Sequence, residues 1–193
     1  MEKRLQLILN TLPREFYLKN TVTVAKNLLG KKIVRKIGRQ EISGIITETE
    51  AYRHKDDPAS HAYRKITERN KVMFGEVGFA YVYFTYGMHF CFNVVAKNSK
   101  TPAGAVLIRA IKPEKGIKIM QENRADVNLK NLTNGPAKLA QALAITKEQY
   151  GIDLTKKSKI YISDGIKPTK VNASTRIGIR NAMDKLWNFK IEI

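Results

Sequence analysis

The segment from Phe79 to Ala96, FAYVYFTYGMHFCFNVVA, constrains the fold more than any other part of the chain, because its side chains sort cleanly only on an antiparallel ribbon. Side chains alternate faces along a strand. If Tyr86, Gly87 and Met88 form a loop with Gly87 at positive φ, Thr85 faces His89, Tyr83 faces Cys91 and Tyr81 faces Asn93. One face then carries Tyr81, Tyr83, His89, Cys91 and Asn93, and the other Val82, Phe84, Phe90, Phe92 and Val94. A two-residue turn would scramble this segregation. The second set is expected in the core. The first combines aromatic faces with hydrogen-bonding edges, which suits either interfacial packing or a pocket that sandwiches a flat heterocycle.

Punctuation elsewhere supplies the remaining elements. Asn20 caps a helix expected over 21–29, with Gly30 in the left-handed position beyond it. Strands are expected at 31–37 and 41–52, separated by Gly38, and at 105–111. Pro113 and Pro136 suit the first turns of helices ending near Arg124 and Ala144, and short strands are expected at 159–163, 176–180 and 187–193. No repeat or linker divides the chain. These patterns predict a single α+β domain, with a curved, mostly antiparallel sheet, a protruding β-hairpin and flanking helices.

The 193 residues carry 35 Lys and Arg against 17 Asp and Glu, a formal charge of +18. A field of this strength attracts polyanions, nucleic acid above all. The excess is uneven: residues 1–40 contribute +8, residues 41–100 only +1 and residues 101–193 the remaining +9. A near-neutral middle between basic arms suggests acids placed there for a purpose. The apolar stretch Leu5 to Leu9 is too short for a signal peptide, no run is long enough to span a bilayer, and the expected location is the cytoplasm, on the nucleoid. A single cysteine, Cys91, excludes an intramolecular disulfide. His54, His61 and His89 lack metal-ligand spacing, and neither a phosphate loop nor a nucleophile elbow occurs, so no metal and no cofactor is expected.

Two features in the middle segment could carry chemistry. Glu48, Glu50 and Tyr52 share one face of their strand, with Ile45, Thr47 and Thr49 on the other. Either carboxylate could serve a cleft, or the face could be a solvated edge. Tyr86, at the hairpin tip, is hard to pack and has the form of a wedge between stacked bases.

Six ordered blocks together resemble the alkyladenine (3-methyladenine) DNA glycosylase family. They are ETEAY at 48–52, ASHAY at 59–63, RNKVMF at 69–74, YVYFTYGMHFCFN at 81–93, LIRAIKP at 107–113 and NGPAKLAQAL at 134–143. The resemblance covers nearly the whole chain from about Leu28, without the N-terminal extension of vertebrate members. It implies a monofunctional base-excision enzyme, acting as a monomer on double-stranded DNA. Such an enzyme flips an alkylated or deaminated purine and hydrolyses its N-glycosidic bond.

On that resemblance, Glu50 matches the carboxylate that activates water. Tyr52, His61 and Tyr83 match the stacking pocket, Asn93 the side chain that disfavours the exocyclic amine of guanine, and Tyr86 the residue inserted through the minor groove. Arg69, Met88, Arg109 and the Asn134–Gly135 turn match DNA contacts, Arg109 as a phosphate ligand. The sequence departs from the vertebrate pattern in a stretch one residue shorter between His61 and Arg69, in Glu68 where a proline is familiar, and in His89 where a tyrosine is familiar. The reading from another class is a noncatalytic nucleic-acid-binding protein that uses the aromatics as a stacking platform. The coincidence of Glu50, the pocket aromatics and Asn93 argues against it.

Overall fold

The computed structural model describes residues 10–193; the Leu5–Leu9 stretch lies outside them. A short helix α1 (Arg14–Tyr17) precedes α2 (Thr21–Leu28), whose first turn is capped by Asn20, its side chain accepting from the Val22 N–H at 3.0 Å. Gly30 follows at φ +80°. The strands are β1 (Lys32–Ile37), β2 (Gln40–Tyr52), β3 (Ala80–Thr85), β4 (His89–Val95), β5 (Ala105–Lys115), β6 (Ile160–Ser163), β7 (Asn172–Ser174) and β8 (Asn188–Lys190). Two more helices, α3 (Ile117–Glu122) and α4 (Pro136–Ala142), follow β5. Among the described residues no helix is long and apolar enough to cross a membrane.

All the pairings are antiparallel, in the order β3-β4-β5-β2-β1-β6, with β8 joining β2 and β7 joining β8. The architecture is thus the expected α+β arrangement around a curled antiparallel sheet. β2 is its spine. One side of β2 runs along β5 for almost its whole length, while the other pairs first with β1 (residues 40–45) and then with β8 (residues 48–50). The end of β2 that bears Glu48 and Glu50 therefore lies between two neighbouring strands, with no open edge. The main core joins α2 and α4 to the sheet through Val24, Leu28, Ile33, Phe92, Ile108 and Leu139, all essentially inaccessible.

The hairpin adopts the expected register, Thr85 with His89, Tyr83 with Cys91 and Tyr81 with Asn93. Its loop is tighter in backbone than expected: both Tyr86 (φ +52°) and Gly87 (φ +67°) are left-handed, and the Met88 N–H donates to the Thr85 carbonyl at 3.3 Å. Only 93–95 of β4 pair with β5, so the distal hairpin stands free of the sheet. This is why Phe84, assigned to a core face from alternation, is 50% exposed against Phe90.

Two expectations fail here. Pro113 opens no helix; it lies within β5 opposite Gly44, where the β2–β5 register shifts. A proline is tolerated at such an irregularity because no ladder bond needs its missing N–H. At Gly44 the two strands approach closely, and a Cβ there would stand 2.6 Å from the Lys112 carbonyl oxygen. The helix begins instead at Ile117, after Gly116 at φ +73°. Residues 176–180 form no strand either, since Gly178 at φ +76° turns the chain, and the strand expected at 187–193 is confined to β8.

Candidate active site

β2 delivers two carboxylates to one side of the sheet, as its alternation requires, although a bulge around Glu48 shifts the register against β5. Glu50 is wholly buried, and four donors converge on it. Oε1 accepts from the Ile177 N–H at 2.7 Å and from Asn188 Nδ2 at 3.0 Å; Oε2 accepts from the Tyr52 hydroxyl at 2.8 Å and from Arg109 Nη1 at 3.3 Å. Glu48 accepts from Arg109 Nε and from the same Asn188 Nδ2, each at 2.8 Å. One guanidinium and one amide thus bridge both acids.

Arg109, expected from the sequence as a phosphate ligand, lies between these two acids. Only 9% of the residue is accessible and its guanidinium is engaged by both glutamates, because β5 places it directly against β2. Burial would lower its pKa, but the Glu50 and Glu48 carboxylates more than reverse this, so it is held as a cation. Tyr52 is shifted upward, first by burial and then by the neighbouring Glu50 charge, so its phenol stays protonated as the donor.

Above this ionic floor is a cavity of about 260 Å³, walled by Tyr52, His61, Tyr81, Tyr83 and Asn93 and closed on the far side by Ile177 and Gly178. Glu50 lies one layer beneath it. Tyr52, Arg109 and Ile177 all line the cavity and all touch Glu50. His61 stands edge-on to Tyr83 with ring centroids 4.6 Å apart, and its Nδ1 lies 2.8 Å from the Tyr81 hydroxyl. Packing among the aromatic rings, and secondarily the Arg69 cation, push the His61 pKa down to about 4, even though its outer edge is open to solvent. It is a neutral ring at pH 7. Asn93 Nδ2 donates to the Tyr81 carbonyl at 3.0 Å, which leaves its carbonyl oxygen as the group available to the cavity.

The hairpin tip rises beside the cavity mouth, with Tyr86 85% exposed and Met88 nearly as open. Arg69 packs on one of the wall residues, its guanidinium 4.9 Å from the Tyr83 ring centre. Asn134 is exposed and accepts from Lys138 Nζ at 2.8 Å, and Gly135 precedes Pro136, the first residue of α4, which also lines the cavity. The structure therefore gathers Tyr52, His61, Tyr83 and Asn93 around one pocket over Glu50, with Tyr86 also in its lining, while Arg69 and Met88 do not line it. Sequence reasoning missed Ile177 and Asn188. Asn188 is one of several asparagines without a pattern, and Ile177 contributes only its backbone.

Residues 15–193 match the family described as methylpurine-DNA glycosylase (MPG). The chain belongs to this family. A protein of Carboxydothermus hydrogenoformans is 48% identical over 183 residues, covering 94% of this chain and 95% of its own. One of Clostridium acetobutylicum is 43% identical over 192 residues, with 93% of each chain covered, and both are named "Putative 3-methyladenine DNA glycosylase". Membership of the methylpurine-DNA glycosylases makes the chain a monofunctional DNA glycosylase of base-excision repair.

Proposed function

We propose that the protein flips an alkylated or deaminated purine out of duplex DNA, encloses it among Tyr52, His61 and Tyr83, and hydrolyses its N-glycosidic bond with water activated by Glu50. A base inside a duplex cannot be reached, so extrusion precedes chemistry, and weakly paired lesions extrude at lower cost. The observation that carries the reading is a fully buried carboxylate directly under an aromatic cavity of about 260 Å³. Ligand pockets for drug-sized molecules run from about 300 to 1,000 Å³, so this one suits a single flat heterocycle.

The four contacts to Glu50 suggest where water enters. Three are 3.0 Å or shorter, and the longest, from Arg109 Nη1 at 3.3 Å, is the one a water at the cavity floor replaces most easily. Glu50 takes the proton of that water as it attacks C1′, and its charge offsets the positive charge developing on the sugar. Cationic substrates such as 3-methyladenine and 7-methylguanine gain from the electron-rich tyrosine faces and leave readily. Hypoxanthine and ethenoadenine are neutral and place more demand on the site. Asn93, held in the cavity wall by its bond to the Tyr81 carbonyl, occupies space that the exocyclic amine of guanine would need and so selects against it. Tyr86 fills the vacated stack, while Met88, Arg69, Asn134 and Gly135 lie where a monomer would touch the flanking strand.

Incubating the protein with a duplex bearing one hypoxanthine or ethenoadenine, followed by alkaline cleavage, tests the activity. Glu50→Gln should lower single-turnover excision by about 10²- to 10⁴-fold, the usual worth of a general base, while lesion binding persists. Near-normal excision by this variant would move the role to Glu48.

A further inference from the structure

Between Ser163 and Asn188 the chain is almost entirely exposed, and Arg176 is its only buried residue. β7 secures 172–174 against β8, but from Thr175 to Trp187 the backbone bonds join the segment only to itself at 182–187, to Ala51 through the Trp187 carbonyl, and to Glu50 through the Ile177 N–H. Yet this segment supplies Ile177 and Gly178, one wall of the cavity.

Arg176 anchors it. Neither its side chain nor that of Asp57 has any accessible surface, and the two form a bidentate pair, Nη1 to Oδ2 at 2.7 Å and Nη2 to Oδ1 at 2.6 Å. Nη1 also donates to the Ala51 carbonyl at 2.9 Å. The guanidinium lies 4.7 Å from the Tyr52 ring centre and 5.2 Å from that of Trp187, while Nε is buried without a partner. Asp57 is tied back to its own loop by the N–H groups of Arg53 and Ala59. A buried ion pair is often no more stabilising than an apolar replacement, and here one donor is left unpaired. Its value is better sought in what it positions.

We infer that the Arg176–Asp57 pair is a latch that holds the 175–187 segment against the site, setting both the cavity wall and the Ile177 N–H that binds Glu50. Arg176 and Asp57 are positioning residues, acting through Ile177 and Tyr52. The inference rests on the assignment of Glu50 as the base for its catalytic consequence, though not for its structural one. Without the latch Glu50 would keep Arg109, Asn188 and Tyr52 but lose the Ile177 donor that fixes its Oε1.

Hydrogen exchange on the unaltered protein tests the latch itself. The Ile177 amide should exchange roughly 10²-fold more slowly than that of Gly178, although both lie in an exposed stretch; equal rates would overturn the inference. Arg176→Lys and Asp57→Asn should each lower single-turnover excision by about 10²-fold, as misplacement by an ångström can, with undamaged-duplex affinity unchanged. Trp187 fluorescence should shift to the red as its ring is uncovered. Excision within threefold of the parent, or a lower rate with Trp187 emission unchanged, would refute the positioning role. Should neither variant fold, the exchange result decides. Failure of the Glu50 assignment would appear separately, as excision by Glu50→Gln with Ile177 still protected.

Discussion

Replacing Arg109 by methionine separates the two roles open to it, as a phosphate ligand on the surface or as the buried counter-charge of two acids. Methionine keeps the length and removes the charge. In the structure that leaves Glu50 and Glu48 without the cation they share, but Glu50 retains three neutral donors and Glu48 retains Asn188. Breaking a buried pair costs about 3–5 kcal/mol, and the remaining donors put this case near the lower figure. At roughly 2–4 °C per kcal/mol for a chain of this size, about 3 kcal/mol lowers the melting temperature by about 6–12 °C. Affinity for undamaged duplex, measured by fluorescence anisotropy from 50 to 200 mM salt, should keep its dependence on log salt, since each neutralised phosphate contributes only about 0.9 to the slope and none is lost. A slope reduced by about one unit, with the melting temperature within 2 °C of the parent, would refute the argument.

Three further outcomes are expected. Tyr86→Ala should slow single-turnover excision more for a lesion in a stable pair than for the same lesion in a mismatch, because base unstacking costs a few kcal/mol that an inserted ring offsets; an equal loss would indicate damage to the pocket. The His61 pKa is depressed in the folded state, so its share of stability is complete above about 6.5, its unfolded value, and is lost as the pH falls toward about 4. Melting curves of His61→Gln should therefore fall less steeply than the parent's over that window, and parallel curves would show that the shift is absent. Asn188→Asp places a third carboxylate against Glu48 and Glu50, so its melting temperature should be depressed at pH 7.5 and partly restored at pH 5; equal depression at both would mean that charge is not the cause.

The hairpin was legible because alternation, a glycine and a single admissible loop length all agreed, and the same period-2 logic put Glu48, Glu50 and Tyr52 on one side of β2. What alternation could not show is whether a face is covered: Phe84 has the same pattern as Phe92, but the sheet ends before it does. Arg109 illustrates a second limit. A basic residue in a chain of charge +18 invites a nucleic-acid role, and only the β2–β5 pairing reveals that it faces two acids. Pro113 misled because its place in β5 depends on a register shift against Gly44, nearly seventy positions earlier. Ile177 gave no signal at all, since its contribution is a backbone amide held by a long-range ion pair.

The Asn188 amide that joins both carboxylates lies 138 residues beyond Glu50 in the chain. Contacts of such separation form late, after the loop entropy between them has been overcome. The Ile177 N–H comes from almost as far, 127 residues on, so two of the four donors to Glu50 are supplied by the last part of the chain. A chain cut short before Ile177 would therefore keep Tyr52, His61 and Tyr83 yet offer Glu50 only half of the donors that surround it in the whole molecule.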